Sequence, residues 1–218
     1  MQTEEYISND ITPLALSNTV TDARELFDDV NFTHLPVVED GKFYGLIAEK
    51  SLVDFENNAT FNDIQFSLES FFTIQNTVWL NLFKIFSLND ANLIPVLDHG
   101  SNYLGYYELS DILQFLSSTP FLRKEGSVLI VAKHPSEYSI SEITQIVESN
   151  GAKLFGVFIS EMNKNNVVVT LKLHSNNIND VIHTFRRYDY NIILGIEEDE
   201  YLDDLKKRSD YLKKYLSI

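Results

Sequence analysis

The sequence predicts an α+β protein in two parts, a tandem repeat followed by a second mixed domain. The first half shows the order helix, strand, hairpin, strand, helix twice. The second half shows the order βαββαβ. The chain has 218 residues, more than a typical domain of roughly 100 to 150 residues. The expected segments are 1–60 and 61–122 for the two repeats, 126–197 for the second domain and 198–218 for a C-terminal helix.

The composition is that of a globular protein, with 44% hydrophobic and 12% aromatic residues. There is no cysteine, which excludes disulfides, thiol catalysis and cysteine-ligated metals. No apolar run approaches the roughly 20 residues that span a bilayer, and the polar start of the chain is unlike a signal peptide. We therefore expect a cytoplasmic protein without a membrane partner.

The charge is strongly acidic and unevenly distributed. There are 17 basic and 32 acidic residues, a net charge of −15, and residues 1–125 alone carry 6 basic and 19 acidic residues, a net of −13. Such a surface repels phosphates, whose neutralisation by Lys and Arg supplies most non-specific nucleic-acid affinity. Nucleic acid is not an expected partner.

The repeat opens with Asn-Thr-Val at residues 18–20 and again at 76–78, an offset of 58. The following apolar strands are offset by 59, and Gly45 and Gly105 by 60, so the copies differ by two single-residue insertions that we expect in loops. The strands are Leu35–Val38 and Ile94–Leu97. The apolar helical stripes that precede them are Ala23, Leu26 and Phe27 in the first copy, and Val78, Leu82, Ile85 and Phe86 in the second.

Turn-forming residues follow each apolar strand and predict two hairpins. They are Asp40-Gly41 in the first copy and residues 98–102 in the second. Pro36 and Pro95 lack a backbone donor, which predicts that they lie at a strand's beginning or on an edge strand. Short helices are expected after each glycine, at residues 51–55 and 110–115.

Three motifs in this region are Thr12-Pro13, the sequence His34–Val38, and Gly105 followed six residues later by Asp111-Ile112. Repeated in the same order, they resemble the CBS-domain family over about residues 8–118. The resemblance implies a tandem pair folded as a pseudo-twofold Bateman module. A generic α/β domain with two similar hairpins is the alternative.

The resemblance also implies a ligand cleft between the repeats, where the family often binds adenosine compounds through a hydroxyl residue and an Asp. In the second copy Asp111 matches the ribose-binding Asp, but Glu108 replaces the phosphate-binding hydroxyl, and the first copy has neither. Glu108 would repel a phosphate. The alternatives are an uncharged adenosine-like ligand beside Asp111 or an empty cleft that serves as a dimer interface, with Asp111 only completing a helix N-terminus. The candidate ligand-binding residues are Thr12, His34, Pro36, Ile94, Pro95, Glu108 and Asp111.

The second domain resembles the ACT family over about residues 126–197, in its βαββαβ order and in the helix-to-strand turn at residues 149–154. The family commonly binds amino acids at interfaces between paired sheets. The effector loop differs here, because Tyr138 occupies the position of the family's glycine. The candidate effector-binding residues are His134, Ser136 and Ser139. The alternative for Ser139 and Ser141 is N-capping of the following helix.

The chain ends in a predicted amphipathic helix, with Asp residues four positions before Lys or Arg and one apolar side. It would dock on the ACT-like sheet or on a second subunit. Its apolar side is formed by Tyr201, Leu202, Leu205, Leu212 and Leu216.

The whole arrangement resembles proteins accessory to acetoin utilisation, which implies a non-catalytic regulator. We expect a homodimer that binds a small-molecule effector and acts on a partner enzyme or transporter. A ligand-free scaffolding dimer is the alternative. An enzyme would need a nucleophile and base, a metal cluster or a phosphate-binding loop, and none is found in the sequence. The one candidate acid/base couple would be Glu108 and Asp111, expected on one helix turn. No cofactor is expected beyond the adenosine-containing ligand, and no metal site.

Overall fold

The computed structural model describes residues 3–194, which form two units that divide between Ser117 and Ser118. The first unit contains both predicted repeats, each with the expected order of elements. Repeat 1 consists of helix α1 (Val20–Asp29), strands β1 (His34–Glu39) and β2 (Lys42–Ala48), and a 3-10 helix at Glu49–Asp54. Repeat 2 consists of β3 (Thr73–Ile74), α2 (Trp79–Leu88), β4 (Leu93–Leu97), β5 (Tyr103–Glu108) and α3 (Leu109–Ser118), and further 3-10 helices lie at Thr3–Tyr6 and Gln65–Ser67.

The first helices of the repeats are capped differently. Thr19 caps α1 by accepting the Asp22 N–H, while the Asp22 carboxylate accepts the Thr19 N–H at 2.7 Å. These hydrogen bonds lower the pKa of Asp22. In α2 the N-cap position is taken by Val78, which makes no such bond. The two helices are therefore offset by 59 residues, and the shared Asn-Thr-Val sequence, offset by 58, is not structurally equivalent. Val78, predicted on the buried stripe, is 60% exposed.

The two hairpins differ in length by the predicted single residue. In repeat 1 Asp40 and Gly41 form a two-residue turn with φ of 48° and 73°, the left-handed pair that suits a right-handed strand twist. In repeat 2 the loop is one residue longer. The Asp98 carboxylate closes it by accepting the N–H groups of Gly100 and Asn102, each at 2.8 Å. The second insertion is thus in a loop, as expected.

Pro36 lies on an edge strand, as its missing N–H predicts, because β1 and β2 form a two-stranded sheet, whereas Pro95 does not. Pro95 is within β4, the central strand of the β3-β4-β5 sheet, and is buried. It is tolerated because its partner Tyr106 directs both backbone groups away, to Ser8, which makes Pro95–Tyr106 a pair without mutual hydrogen bonds. Pairing with β3 begins only one residue later, at Val96. Pro95 is therefore tolerated on a central strand because it faces Tyr106 at a pair that makes no mutual hydrogen bonds.

Two segments cross between the repeats, each pairing with the second hairpin strand of the other repeat. Ser8, ahead of repeat 1, exchanges backbone hydrogen bonds of 2.9 and 3.0 Å with Tyr106 of β5. Glu69, ahead of β3, exchanges two of 2.8 Å with Leu46 of β2. A glycine precedes each acceptor strand residue. Gly105 has φ 141°, and a Cβ there would lie 2.5 Å from the Ser8 carbonyl oxygen, so the crossing requires glycine.

Each repeat has its own apolar core, and a smaller cluster lies between the repeats. The core of repeat 1 includes Val20, Leu35 and Phe61, and that of repeat 2 includes Leu82 and Ile94. The cluster between them contains Leu46, Leu93 and Tyr106, with partly buried Ile11, Phe32, Phe43 and Phe71 packed against it. The centre of the interface between repeats is therefore filled with apolar side chains.

The second unit is a four-stranded antiparallel sheet with two helices. Its elements are α4 (Pro120–Arg123), β6 (Ser127–Lys133), α5 (Ile140–Ser149), β7 (Lys153–Met162), β8 (Val167–His174), α6 (Ile178–Arg187) and β9 (Asn191–Leu194). The strand order β7-β8-β6-β9 is the ferredoxin-like arrangement that βαββαβ predicts. The strict alternation of buried and half-buried residues in β8 shows that one sheet face holds the core.

Helices α5 and α6 supply the rest of that core through Ile143, Ile146, Val181 and Phe185. Gly151, with φ 70°, ends α5 as expected. The predicted C-terminal helix, residues 198–218, lies outside the described residues. Within residues 3–194 no helix is long and apolar enough to cross a bilayer.

Candidate ligand site between the repeats

Thr33 and Asn92, which precede β1 and β4 at equivalent positions, bond to each other across the pseudo-twofold axis. The Asn92 side-chain oxygen accepts the Thr33 N–H at 2.8 Å, and Thr33 Oγ1 accepts the Asn92 N–H at 3.2 Å. The Asn92 carbonyl accepts the N–H of Leu109 at 2.9 Å. This chain of bonds places the start of β1 beside the junction of β5 and α3.

His34 extends this polar network into the interface between the repeats. It is 1% exposed, and its Nδ1 lies 2.8 Å from Thr33 Oγ1. Its Nε2 is buried, has no hydrogen-bond partner among residues 3–194, and lies 3.5 Å from the carboxylate of Glu69, which belongs to a crossing segment. The edge of the ring packs on Phe71. We call His34, Glu69 and Lys50 the His34 cluster.

Burial lowers the pKa of His34, because a charged imidazole loses hydration in this position. The Glu69 carboxylate opposes that effect and the Lys50 ammonium adds to it. His34 is therefore neutral at pH 7. Thr33 Oγ1 has one proton and two neighbouring acceptors, His34 Nδ1 at 2.8 Å and Asn92 Oδ1 at 3.1 Å, so Nδ1 is an acceptor or a donor according to where that proton lies. In either tautomer Nε2 faces Glu69, and at 3.5 Å this contact is too long for a good hydrogen bond.

A second polar cluster lies around the phenols of β5. Tyr106 donates its hydroxyl proton to the Asp10 carboxylate. The hydroxyl of Tyr103 is buried and has no hydrogen-bond partner within residues 3–194. Burial and the charge of Asp10 raise the pKa values of both phenols, and Glu108 adds to the effect on Tyr106. This side of the interface is an acidic surface with a phenol donor, and it disfavours an anionic ligand.

The candidate residues of the cleft fall into three groups. By strand alternation, His34, Pro36 and Pro95 share the faces turned toward the other repeat, and all three are buried. Ile94 points to the opposite side and belongs to the core of repeat 2, so its assignment to the cleft was wrong. Thr12, Glu108 and Asp111 have solvent access, with Thr12 exposed and the two carboxylates half-buried.

Glu108 and Asp111 do not share a helix turn, as the acid/base hypothesis expected. Glu108 ends β5, where it pairs with Leu93, and Asp111 lies in the first turn of α3. The Glu108 carboxylate instead accepts the hydroxyl of Ser110 at 3.0 Å. The arrangement contains a helix-terminal carboxylate beside a strand-terminal one, and the strand-terminal one holds the Ser110 hydroxyl.

In the second unit the candidate effector residues form a closed turn. His134 Nδ1 and Ser136 Oγ lie 2.7 Å apart, and the His134 carbonyl accepts the N–H of Tyr138 at 3.1 Å. Tyr138 packs on the core of the unit. Ser139 caps α5 by accepting the Glu142 N–H at 3.3 Å, which is the N-capping alternative. The structure thus assigns Ser139 a helix-capping contact.

A small cluster that the sequence did not indicate lies beside this cap. Lys133 forms a 3.2 Å ion pair with Glu142 and stands 4.5 Å above the ring of Tyr190. Burial, followed by the Glu142 carboxylate, raises the pKa of Tyr190 to about 12. These three residues come from β6, α5 and the turn before β9, so no local motif brings them together.

The same limit applies to the residues missed between the repeats. Glu69 faces His34, Asn92 bonds to the neighbouring Thr33, and Tyr103 feels the charge of Asp10, yet none of the three lies in a motif of the candidate site. Asn92 carried one available signal, its position offset by 59 from Thr33. Glu69 carried none, because its segment pairs with the other repeat.

Comparison with known proteins agrees with the repeat architecture. A family model, CBS domain, matches residues 4–58. An uncharacterized protein of Methanocaldococcus jannaschii is 22% identical over 123 residues, which are 55% of this chain and 46% of that protein. The chain thus spans about half the length of this curated relative. The family match covers repeat 1 and supports a CBS domain there.

Two solved structures resemble the chain over about half its length. A CBS domain pair/ACT domain protein from Thermotoga maritima is 20% identical and covers 53% of this chain and 96% of its own, with a TM-score of 0.48. The CBS domains of a transcriptional regulator from Streptococcus pneumoniae are 19% identical and cover 52% and 98%, with a TM-score of 0.47.

Proposed function

We propose that the chain is a non-catalytic regulator that senses a small metabolite between its two repeats and acts on a partner enzyme or transporter. The observation that carries the proposal is the His34 cluster. A buried imidazole nitrogen without a good hydrogen-bond partner costs free energy unless a ligand or water supplies the bond. The cluster belongs to the interface that joins the repeats, so a ligand that satisfies it would change how they pack.

The ligand class that fits this interface is an uncharged adenosine-like compound. Asp111 offers two oxygens to a pair of ribose hydroxyls. Asp10 and Glu108 add negative charge on the same side as the phenols, so phosphate groups would be repelled. Adenosine therefore fits better than its phosphates, and no nucleic acid is expected to bind.

The test is titration calorimetry of the full chain with adenosine, AMP and ATP, together with thermal unfolding in their presence. We expect adenosine to bind and raise the unfolding temperature, and the affinity to fall as phosphates are added. Asp111→Asn should weaken adenosine binding, whereas Asp63→Asn, an exposed carboxylate outside the interface, should not. No heat and no stabilisation by adenosine at millimolar concentration would contradict the proposed ligand class.

A ligand-free scaffold is the second candidate, and one observation favours it. Leu46, Leu93 and Tyr106 fill the centre of the interface between the repeats and are fully buried. A scaffold would show no stabilisation by any metabolite. The ACT-like assignment of the second unit, with an amino-acid effector at its turn, and a cytoplasmic location stay within the proposal on the basis of the sequence.

We also propose a homodimer formed through α2 and α3 of repeat 2. Leu80 and Leu88 are 62% and 72% exposed on α2, and Leu113 of α3 is 46% exposed. At the equivalent positions of α1, repeat 1 has Thr21 and Asp29. Two copies of an acidic surface repel, and the apolar helices of repeat 2 form the face where that repulsion is least, so a second copy fits there by a twofold axis.

Sedimentation equilibrium at micromolar concentration tests the dimer. Leu80→Glu should convert it to a 25 kDa monomer, and Thr21→Glu, the same charge on the matching position of repeat 1, should leave the dimer unchanged. A monomeric parent chain, or a dimer that tolerates Leu80→Glu, would show that this face takes another partner.

A further inference from the structure

A cavity of about 450 Å³ lies in repeat 1 and shares Lys50 with the His34 cluster. Such a volume is within the range of small-ligand pockets. It lies between α1 and the 3-10 helix Glu49–Asp54. The lining residues are Arg24, Phe27 and Asp28 from α1, and Glu49, Lys50, Leu52 and Val53 from the 3-10 helix.

The cavity lies where repeat 1 has a shorter helix than repeat 2. In repeat 2 the corresponding segment is the ten-residue helix α3, whereas in repeat 1 six residues form a 3-10 helix. Arg24 connects the two walls by donating from its guanidinium to the Leu52 carbonyl at 2.7 Å. That bond uses one of its five N–H groups and fixes the position of the charge.

Four charged groups line this space, two of each sign. Arg24 and Lys50 are cationic, Asp28 and Glu49 are anionic, and no ion pair of 4.0 Å or less joins any two of them. Phe27 and Leu52 provide buried apolar surface and Val53 an exposed rim. Opposite charges held apart around an apolar wall complement a molecule that carries both signs itself.

Repeat 2 provides an internal comparison, because none of the four charges is kept there. The positions equivalent to Arg24 and Asp28 hold Phe83 and Ser87, at the helix offset of 59. Those equivalent to Glu49 and Lys50 hold Leu109 and Ser110, at the offset of 60. The packing residue Phe27 is matched by Phe86. The charges are therefore not required by the repeat fold, and they accompany the cavity.

We propose that this cavity binds a free amino acid with an apolar side chain. Its carboxylate would bond to Arg24 and Lys50, its ammonium to Asp28 and Glu49, and its side chain would pack on Phe27, Leu52 and Val53. A nucleotide would meet two carboxylates at its phosphates. A simple fatty acid or amine would leave one pair of lining charges without a partner.

Lys50 belongs both to the lining of this cavity and to the His34 cluster. The inference goes beyond the proposed function, since it requires neither adenosine binding nor a dimer.

Titration calorimetry of the full chain with leucine, isoleucine, valine, methionine and phenylalanine is the first test. At least one should bind at or below millimolar concentration. For leucine, isoamylamine lacks the carboxylate and 4-methylpentanoate lacks the ammonium. We expect each to bind about tenfold more weakly or worse, since a hydrogen bond to a charged group contributes about that factor. If none of the five binds at 10 mM, roughly the weakest affinity worth assigning to a built pocket, the inference fails.

Substitutions locate the site. Lys50→Gln should weaken binding of the amino acid and of 4-methylpentanoate and leave that of isoamylamine unchanged. Asp28→Asn should weaken binding of the amino acid and of isoamylamine and leave that of 4-methylpentanoate unchanged. Lys42→Gln, which removes a cation at the start of β2 that bonds to Asn102 and does not line the cavity, is the control. Arg24→Gln is less suitable alone because it also removes the bond to Leu52.

Methyl and aromatic NMR shifts at Phe27, Leu52 and Val53 identify the bound position. Binding that ignores Lys50→Gln and Asp28→Asn, or shifts confined to other residues, overturns the inference. A separate titration with adenosine distinguishes this inference from the proposed function. If adenosine binds and no amino acid does, this inference fails and the proposed function stands.

Discussion

Thr33 and Asn92 occupy equivalent positions on either side of the pseudo-twofold axis, and the side chain of each accepts the other's backbone N–H. Two positions 59 residues apart thus exchange hydrogen bonds as the two halves of a symmetric dimer would. Neither repeat can bury its strand start without the other, so we expect this pair to couple the stabilities of the repeats.

Thr33→Val tests that coupling. It removes the hydroxyl that meets both His34 Nδ1 and the Asn92 N–H and leaves buried groups unsatisfied. The free energy of unfolding should fall by about 1–3 kcal/mol. Urea unfolding measures it, and a double-mutant cycle with Asn92→Ala should give a coupling energy of about 1 kcal/mol. Strictly additive effects would mean that the pair contributes nothing to the contact between repeats.

Gly105→Ala should be among the most damaging single substitutions in the first unit. Its new Cβ would lie 2.5 Å from the Ser8 carbonyl oxygen, and alanine would be strained at φ 141°. We expect a loss of at least about 2 kcal/mol of unfolding free energy. Gly100→Ala is the control, because its nearest neighbours are side-chain tips at 3.2 Å in an exposed loop. Equal losses at both positions would refute the role of the crossing segment.

Stability should depend on the protonation of His34. Its pKa is lowered in the folded state, so the unfolded chain binds the proton more readily, and stability rises with pH wherever that holds. This contribution should be complete above pH of about 6.5 and decline as pH falls below it. The difference in unfolding free energy between the parent chain and His34→Gln, measured from pH 5 to 8, should show this slope. A difference independent of pH would contradict it.

The cap of α5 can be separated from a neighbouring serine. Ser139→Ala should cost about 1 kcal/mol, since Ser139 Oγ accepts the N–H of Glu142. Ser141→Ala, an exposed change within the first turn, should change stability by less than about 0.5 kcal/mol. Thermal unfolding of the two variants distinguishes them, and the opposite ranking would assign the cap to Ser141.

Local signals predicted most elements of the fold. Apolar spacing located the helices and strands, and Asp40-Gly41 specified its turn because those residues tolerate positive φ. Pro95 was misplaced because sequence shows a missing donor but not the direction in which that donor would have pointed. Ile94 was misassigned because the family motif marks a strand without saying which face of it turns to the other repeat.

The candidate site was less predictable than the fold. His34, Asp111 and Glu108 were expected near the interface between the repeats, but the groups that set the chemistry of His34 are distant in sequence. Glu69 reaches it on a crossing segment, and Asn92 acts through Thr33, which it meets across the pseudo-twofold axis. Contacts of this kind depend on how the chain crosses between the repeats, and they produce no periodic pattern in the sequence.

The crossing segments have a consequence for the integrity of the chain. Each repeat is completed by a piece of backbone that precedes the other, through Ser8 on Tyr106 and Glu69 on Leu46. After a protease cut in the connection between the repeats, we therefore expect the two fragments to stay associated through these backbone hydrogen bonds. A single repeat moved into another protein would therefore lack the segment that pairs with its second hairpin strand, because that segment precedes the other repeat in the sequence.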